Sequence, residues 1–331
     1  MRADSLAGRI VSVLSHRAPA FRSAPSPGTP NRLPARQPMK HLKRPGSGAG
    51  APRAQLANVG LPNASLRGAV LAEANLRGAD LRDADLRDAD LRGTNLQVAN
   101  LTSASLEGAD LRTADLRDAH LNGCDLRQAD LTGADLRNAR LPGASLAHAN
   151  LGGADLREAV LSDTTLHSAD LQGANLRNAD LQGADLRNAC LRTALHAVNL
   201  DGADLRGTDL RRHRLTQGKM RGCDLRGADL RCANLAGADL RDANFAGALL
   251  WKARFEEADL SGAVFTDIDS GPWEASSHDL LYVSGARWTA ATLWPSDLRT
   301  LMHARPLSVG VGVWVVHRTA ANRLTVEPVS R

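Results

Sequence analysis

The sequence predicts an all-β solenoid, a chain that coils around its own filled core, with a small non-repeating segment closing its C-terminal end. Three observations carry this prediction. Leu recurs every fifth residue from Leu56 to Leu191 and again from Leu195 onward to Phe265, giving 43 centres of which 39 are Leu; Met220, Phe245, Phe255 and Phe265 fill the other places. Ala stands two residues before the centre in 33 of the 43 units, and Asp or Asn mostly stands immediately before it. Large core residues are scarce, since aromatics make up 3% of 331 residues and the chain has only four Phe, one Tyr and four Met. A conventional globular core of that size is therefore excluded.

The five-residue period decides the element. On an α-helix five residues advance by roughly 500°, about 140° past a full turn, so the Leu side chains would spiral around every face. On a straight strand an odd period sends successive Leu to opposite faces. Only a chain that turns once per unit, always toward the same side, points every centre at one axis. The position two before the centre then lies at an inward corner and must be small, which suits Ala and also Cys124 and Cys223.

Units such as Ala79-Asp80-Leu81-Arg82-Asp83 and Ala134-Asp135-Leu136-Arg137-Asn138 resemble those of the pentapeptide-repeat proteins. The resemblance covers about two-thirds of the chain. It implies a right-handed β-helix of square cross-section, four units per coil, with the centre and the residue two before it facing inward. At ~4.8 Å per stacked strand, 43 units would build a rod roughly 50 Å long.

Two places break the rule. Leu191 to Leu195 is four residues, so one residue is missing near Arg192 to Ala194. A tightened coil would keep each face in register and stack Leu195 on Leu176; the alternative is a break between two solenoids. Farther on, Arg211-Arg212-His213-Arg214 puts His213 in the small inward slot, where it should not fit. A local bulge turning His213 outward is the expected relief.

The organisation expected is a basic Pro-rich tail over 1–53, the solenoid over 54–268 and a capping segment over 269–331. The tail carries ten Lys or Arg against Asp4 alone and eight of the 14 Pro, which reads as disorder. It is an inert arm, an arm for an acidic partner, or sequence ahead of a true start at Met39. The solenoid carries 25 Lys or Arg against 30 Asp or Glu, so the overall net charge of +5 belongs to the tail and does not mark the body as a nucleic-acid binder. The terminal coil of a solenoid exposes strand edges and core and needs a cap. Trp273, Trp288, Trp294 and Trp314 gather there, and Gly285 to Pro295 resembles the tail that follows the repeats in many actinobacterial-type members. Pro295-Ser296-Asp297 could open a short helix through His303, and Val309 to Val316 reads as a strand.

No chemistry announces itself. The ten His are scattered, the four Cys form no CxxC pair, and neither a nucleophile elbow nor a phosphate loop is present. Catalysis, cofactor and metal are therefore not expected, and a filled square rod is expected to offer no cavity. No apolar run is long enough for a membrane span, and Arg9 splits the only apolar stretch at the start, so a cytoplasmic location is expected.

What remains is the outer surface. A prominent activity of the family is inhibition of DNA gyrase or a related topoisomerase by acidic rods that imitate duplex DNA. Here, however, 14 of the 18 Asp that precede a centre are followed, just after it, by Arg. Both side chains should point outward from one face and neutralise each other. Columns at twenty-residue spacing place Arg77, Gln97, Arg117, Arg137, Arg157 and Arg177 on one face and Asp90, Asp110, Asp130, Asn150 and Asp170 on another, which reads as faces of opposite sign. The expectation is a non-catalytic structural or protein-interaction rod with an unidentified protein partner, able to form a homo-oligomer and without direct nucleic-acid binding; the DNA-imitating topoisomerase inhibitor is the alternative. The candidate contact residues are Arg211, Arg212, His213, Arg214, Lys219 and Arg221, because they gather positive charge around the misfit His213 on a slightly negative body.

Overall fold

A computed structural model describes residues 53–191, 195, 197–268, 286–289 and 291–294, and the backbone of 314–318 and 324–328. The unit at Ala134–Asn138 shows how five residues make a corner. The chain runs extended through Ala134, Asp135 and Leu136, and the Leu136 N–H donates to the Asp155 carbonyl one coil on (2.7 Å). It then turns through Arg137 and Asn138, closed by the Ala139 N–H on the Leu136 carbonyl at 3.0 Å. Asn138 sits at φ 58°, so the turn is type II, whose third residue must be left-handed. That requirement explains why the second residue after a centre is so often Gly, Asn or Asp, the types that tolerate this conformation.

Parallel bridges join Asp115 to Asp135 and Asp135 to Asp155. The twenty-residue interval means four units per coil, so the rod has four flat faces. Inside it Leu and Ala are buried from the second coil on, as with Ala134 at 1% exposure, while Ala54, Ala64 and Ala69 at the open first coil are partly buried. Where Thr or Cys replaces Ala, the polar atom finds a carbonyl: Thr94 Oγ1 donates to Leu71 O (3.1 Å) and Leu91 O (2.6 Å), and Cys124 Sγ to Leu101 O (2.7 Å).

The short step tightens a coil and leaves the solenoid continuous. Asp170 still pairs with Cys190 at twenty residues, but Asp180 pairs with Asn199 and Asp185 with Asp204 at nineteen. The Asn199 side chain reinforces this register by donating Nδ2 to Asp180 Oδ1, 2.9 Å across the nineteen-residue gap. Leu195 is buried in the same core, nineteen residues from Leu176.

The expected bulge at His213 is absent. The His213 N–H closes the ordinary turn on Leu210 O (3.2 Å), its carbonyl accepts from Asn234 N (2.8 Å), and Arg214 bridges Asn234 in register. Relief comes from the side chain. His213 is half-buried, and its Nε2 meets the Leu191 carbonyl, the counterpart of the carbonyl that Thr94 uses. Leu191 is the last centre before the missing residue, so the short step lies one coil below the oversized side chain.

The C-terminal end continues the repeat in disguise. Arg287 bridges Asp259, and Leu293 bridges Val264, in parallel. Leu260 N donates to Arg287 O and Phe265 N to Leu293 O, each at 2.7 Å, as in every coil below. Ala286-Arg287-Trp288 and Thr292-Leu293-Trp294 are thus two further units with Trp as centre, and Thr292 Oγ1 donates to Leu260 O (2.8 Å) from the small slot. Phe245, Phe265 and Trp294 stack in parallel at 4.7 and 4.8 Å. Strand β1 (Arg287–Trp288) pairs antiparallel with β2 (Trp314–Arg318), and β2 with β3 (Leu324–Pro328). The strand expected at Val309 to Val316 is thus described from Trp314 on; its earlier residues, the helix expected from Pro295 to His303, Trp273 and the tail 1–52 lie outside the described residues.

Candidate functional site

All 14 Asp-x-Arg pairs form forked ion pairs. At Asp135, for example, Oδ1 accepts Arg137 Nε (2.8 Å) and Oδ2 accepts Arg137 Nη2 (2.6 Å), while Oδ1 also takes the Arg137 backbone N–H at 3.2 Å. Pairs then link from coil to coil: Arg117 reaches Asp135 at 3.6 Å and Arg137 reaches Asp155 at 3.7 Å. This corrects the expected faces of opposite sign. Arg117, Arg137 and Arg157 share their face with Asp115, Asp135 and Asp155 and are neutralised there.

The rod also has a cavity, contrary to the expectation from its filled core. A wide-mouthed notch of about 1110 Å³ opens along one corner of the rod. Gly173, Ala174 and Asn175 form its lower side; Arg211, Arg212, His213 and Arg214 form its middle; Arg231, Cys232 and Trp251 form its upper side, with Asp209 among the lining residues. Arg211, Arg231 and Trp251 stand in one column at twenty-residue spacing. Arg211 is paired with Asp209 (2.6 Å) and reaches Asp229 (3.5 Å), and Arg231 is paired with Asp229 (2.6 Å). Arg212 and Arg214 are exposed and enter no ion pair among the described residues. Among the described residues, four guanidinium groups thus stand near two carboxylates, Asp209 and Asp229. Trp251 at the rim is 36% exposed, with Lys252 Nζ 4.3 Å from its ring centroid.

Of the residues singled out from the sequence, Arg211, Arg212, His213 and Arg214 come together at the notch, and Lys219 and Arg221 do not line it. Lys219 lies in the next face between Asn199 and Asp239, and Arg221 reaches Asp242 at 3.7 Å. Sequence reasoning missed Arg231, Cys232 and Trp251. Counting twenty residues on from Arg211 would have found Arg231, and again Trp251.

Nothing else among the described residues forms a chemical centre. Cys124 and Cys223 are buried; burial pushes the Cys124 thiol up to about 12 and Cys223 upward as well, which leaves both protonated and unreactive. No group of His, Cys, Asp and Glu among the described residues could hold a metal ion, and no helix there is long and apolar enough to cross a membrane.

A family model described as pentapeptide repeats matches in eight copies, over residues 53–88, 79–118, 114–146, 124–163, 139–178, 159–195, 214–245 and 238–269. The gap between 195 and 214 contains Arg211, Arg212 and His213. Among solved structures the chain is similar to HetL, a pentapeptide repeat protein involved in heterocyst differentiation regulation from the cyanobacterium Nostoc, at 36% identity over 59% of this chain and 89% of that one, with a TM-score of 0.53. It is also similar to Rfr23 of the cyanobacterium Cyanothece, at 35% identity over 34% of this chain and 62% of that one, TM-score 0.21. QnrB1, a plasmid-mediated fluoroquinolone resistance protein, matches at 18% identity over 60% of this chain and 91% of that one, TM-score 0.33. No curated protein matches.

Proposed function

The chain belongs to the pentapeptide-repeat family and is a right-handed, four-sided β-helix; from that premise we propose that it works as a non-catalytic interaction rod for another protein. The observation that carries this reading is the division between inside and outside. Leu, Ala and Phe fill the axis of the rod along its described length, so whatever the molecule recognises meets its outer faces. Those faces are laced by Asp–Arg pairs that cancel charge locally, which suits a partner surface of mixed charge.

The DNA-imitating reading needs a continuous anionic stripe. Here 14 of the 18 Asp that precede a centre are clamped by an Arg at 2.5 to 2.7 Å, from Asp80–Arg82 to Asp239–Arg241. A supercoiling and drug-induced cleavage assay with purified DNA gyrase separates the two. The interaction reading expects both activities to be unchanged with the protein in molar excess. Inhibition at near-stoichiometric protein would replace it with topoisomerase control.

A further inference from the structure

Beyond that reading, we propose that one flat face of the rod is a self-complementary surface that pairs two copies of this chain side by side, axes parallel and ends level. The face is the one whose strands run from Ser65 through Ser105, Ser145 and Asp185 to Val264. Its parallel bridges are unbroken over ten steps, and every residue of its units is described. Among the described residues it carries five of the 14 forked pairs, from Asp85–Arg87 to Asp224–Arg226. Each of the other three faces carries four or fewer. In every pair the Asp precedes the centre and the Arg follows it, so the carboxylates form one column along the rod and the guanidinium groups a second beside it. Between Arg127 and Asp185 the ladder pauses at the small, uncharged Ser145, Ala147 and Thr165, which lets a flat surface approach closely.

Symmetry then fixes the arrangement. A closed pair of like faces needs a twofold axis, and only two directions lay this face on itself. An axis across the rod makes the copies antiparallel and sets each column over itself, Asp on Asp and Arg on Arg. An axis along the rod exchanges the columns, so each of the five Asp meets an Arg of the second copy at its own height. Opposed charges favour and register such an encounter, whereas like charges exclude it. The groups have capacity to spare. Arg187 gives Nε and Nη2 to Asp185 and keeps its Nη1 donors, and a carboxylate accepts up to about four bonds. Glu107, the one acid in the guanidinium column, would meet the uncharged Ser105. Ten steps of ~4.8 Å and a width of at most five residues make a strip roughly 48 Å by 16 Å, close to the ~800 Å² that each partner buries in a standard stable interface.

The test is sedimentation equilibrium of the full chain. Wild type is expected to be a dimer at about 50 mM salt and to dissociate at least about tenfold more readily at about 500 mM, where the Debye length falls to roughly 4 Å. Asp185→Arg with Asp204→Arg and Asp224→Arg makes both columns cationic there; Arg187→Asp with Arg206→Asp and Arg226→Asp makes both anionic. Each variant alone should be monomeric, and an equimolar mixture of the two should recover the dimer. A monomeric wild type, a dimer of either variant alone, or a mixture that stays monomeric while both variants keep wild-type melting curves overturns the proposal. Pyrene on Ser105→Cys, in a chain whose four native Cys are replaced, reads the direction without altering any charge. Parallel copies bring the two labels level and give excimer emission. Antiparallel copies hold them six steps, roughly 29 Å, apart, and the absence of excimer emission overturns the proposal. The gyrase assay is separate from these measurements, so the reading of the rod as a partner for another protein stands or falls on its own.

Discussion

At the scale of single residues, each of the five positions answers to a different constraint. Ala134 is at 1% exposure in a column that admits only small side chains, so Ala134→Leu should destabilise by roughly 1 to 3 kcal/mol through overpacking. Arg137 is an outward partner in an exposed pair, and such pairs contribute little; Arg137→Ala should leave the denaturation midpoint nearly unchanged. Equal midpoints for the two variants would contradict the inward and outward assignments. The Asp side chains add a dependence on pH. Hydrogen bonds from Arg87, Arg127 and Arg231 hold Asp85, Asp125 and Asp229 below the usual carboxylate range; at Asp115 burial pushes upward, and the bonds from Arg117 and Gln97 outweigh it. A carboxylate depressed in the folded state contributes stability that is present above its unfolded pKa, about 3.9, and lost as pH falls through the lower folded value. Thermal melts should therefore hold steady from pH 7 down to about 5 and fall below about 4. A midpoint that rises on acidification below that point would contradict the ion-pair ladders. These roles were legible in the sequence, because a strict period makes every column visible by counting. His213 was not. Its side-chain partner is the carbonyl of Leu191, 22 residues earlier, and only columns aligned across the missing residue bring the two together.

At the scale of elements, the C-terminal cap works by extending the solenoid before sealing it. Phe265 lies between Phe245 and Trp294 in a parallel stack and is buried to 1% exposure. Phe265→Ala should cost about 3 kcal/mol, the usual loss for a buried aromatic truncated to Ala. It should also increase hydrogen exchange first in the coil that contains Leu250 and Leu260, because that coil would lose its cover. Uniform exchange along the rod would contradict a local capping role. The gathering of Trp at this end was legible as a cap. That Trp288 and Trp294 are repeat centres was not, because they are set six residues apart and lie beyond an interruption of the period after Phe265. The small–any–large signature of Ala286-Arg287-Trp288 and Thr292-Leu293-Trp294 is the signal that survives. The notch was half legible: the basic cluster and the short step were both visible, but their meeting at one corner follows from the four-unit coil, as does the arrival of Trp251.

At the scale of the whole molecule, a solenoid gives almost every coil the same task, and the irregular unit at Arg211–Arg214 lines the recess. The rod, the recess and the ladders of neutralised charge all depend on the faces running in register through the short step. If the step broke the solenoid, the columns above it would be shifted, and one residue of slip turns every side chain from one side of the wall to the other. The register can be measured directly with paired cysteines in a chain whose four native Cys are replaced. Asp180 and Asn199 stand opposite each other in adjacent strands, at a spacing near 4.8 Å that lies within the range a disulfide spans. Asp180→Cys with Asn199→Cys should close a disulfide on mild oxidation, while Asp180→Cys with Asp201→Cys should stay reduced. Failure of the 180/199 pair to cross-link any better than the 180/201 pair, in a folded protein, would contradict a single continuous rod.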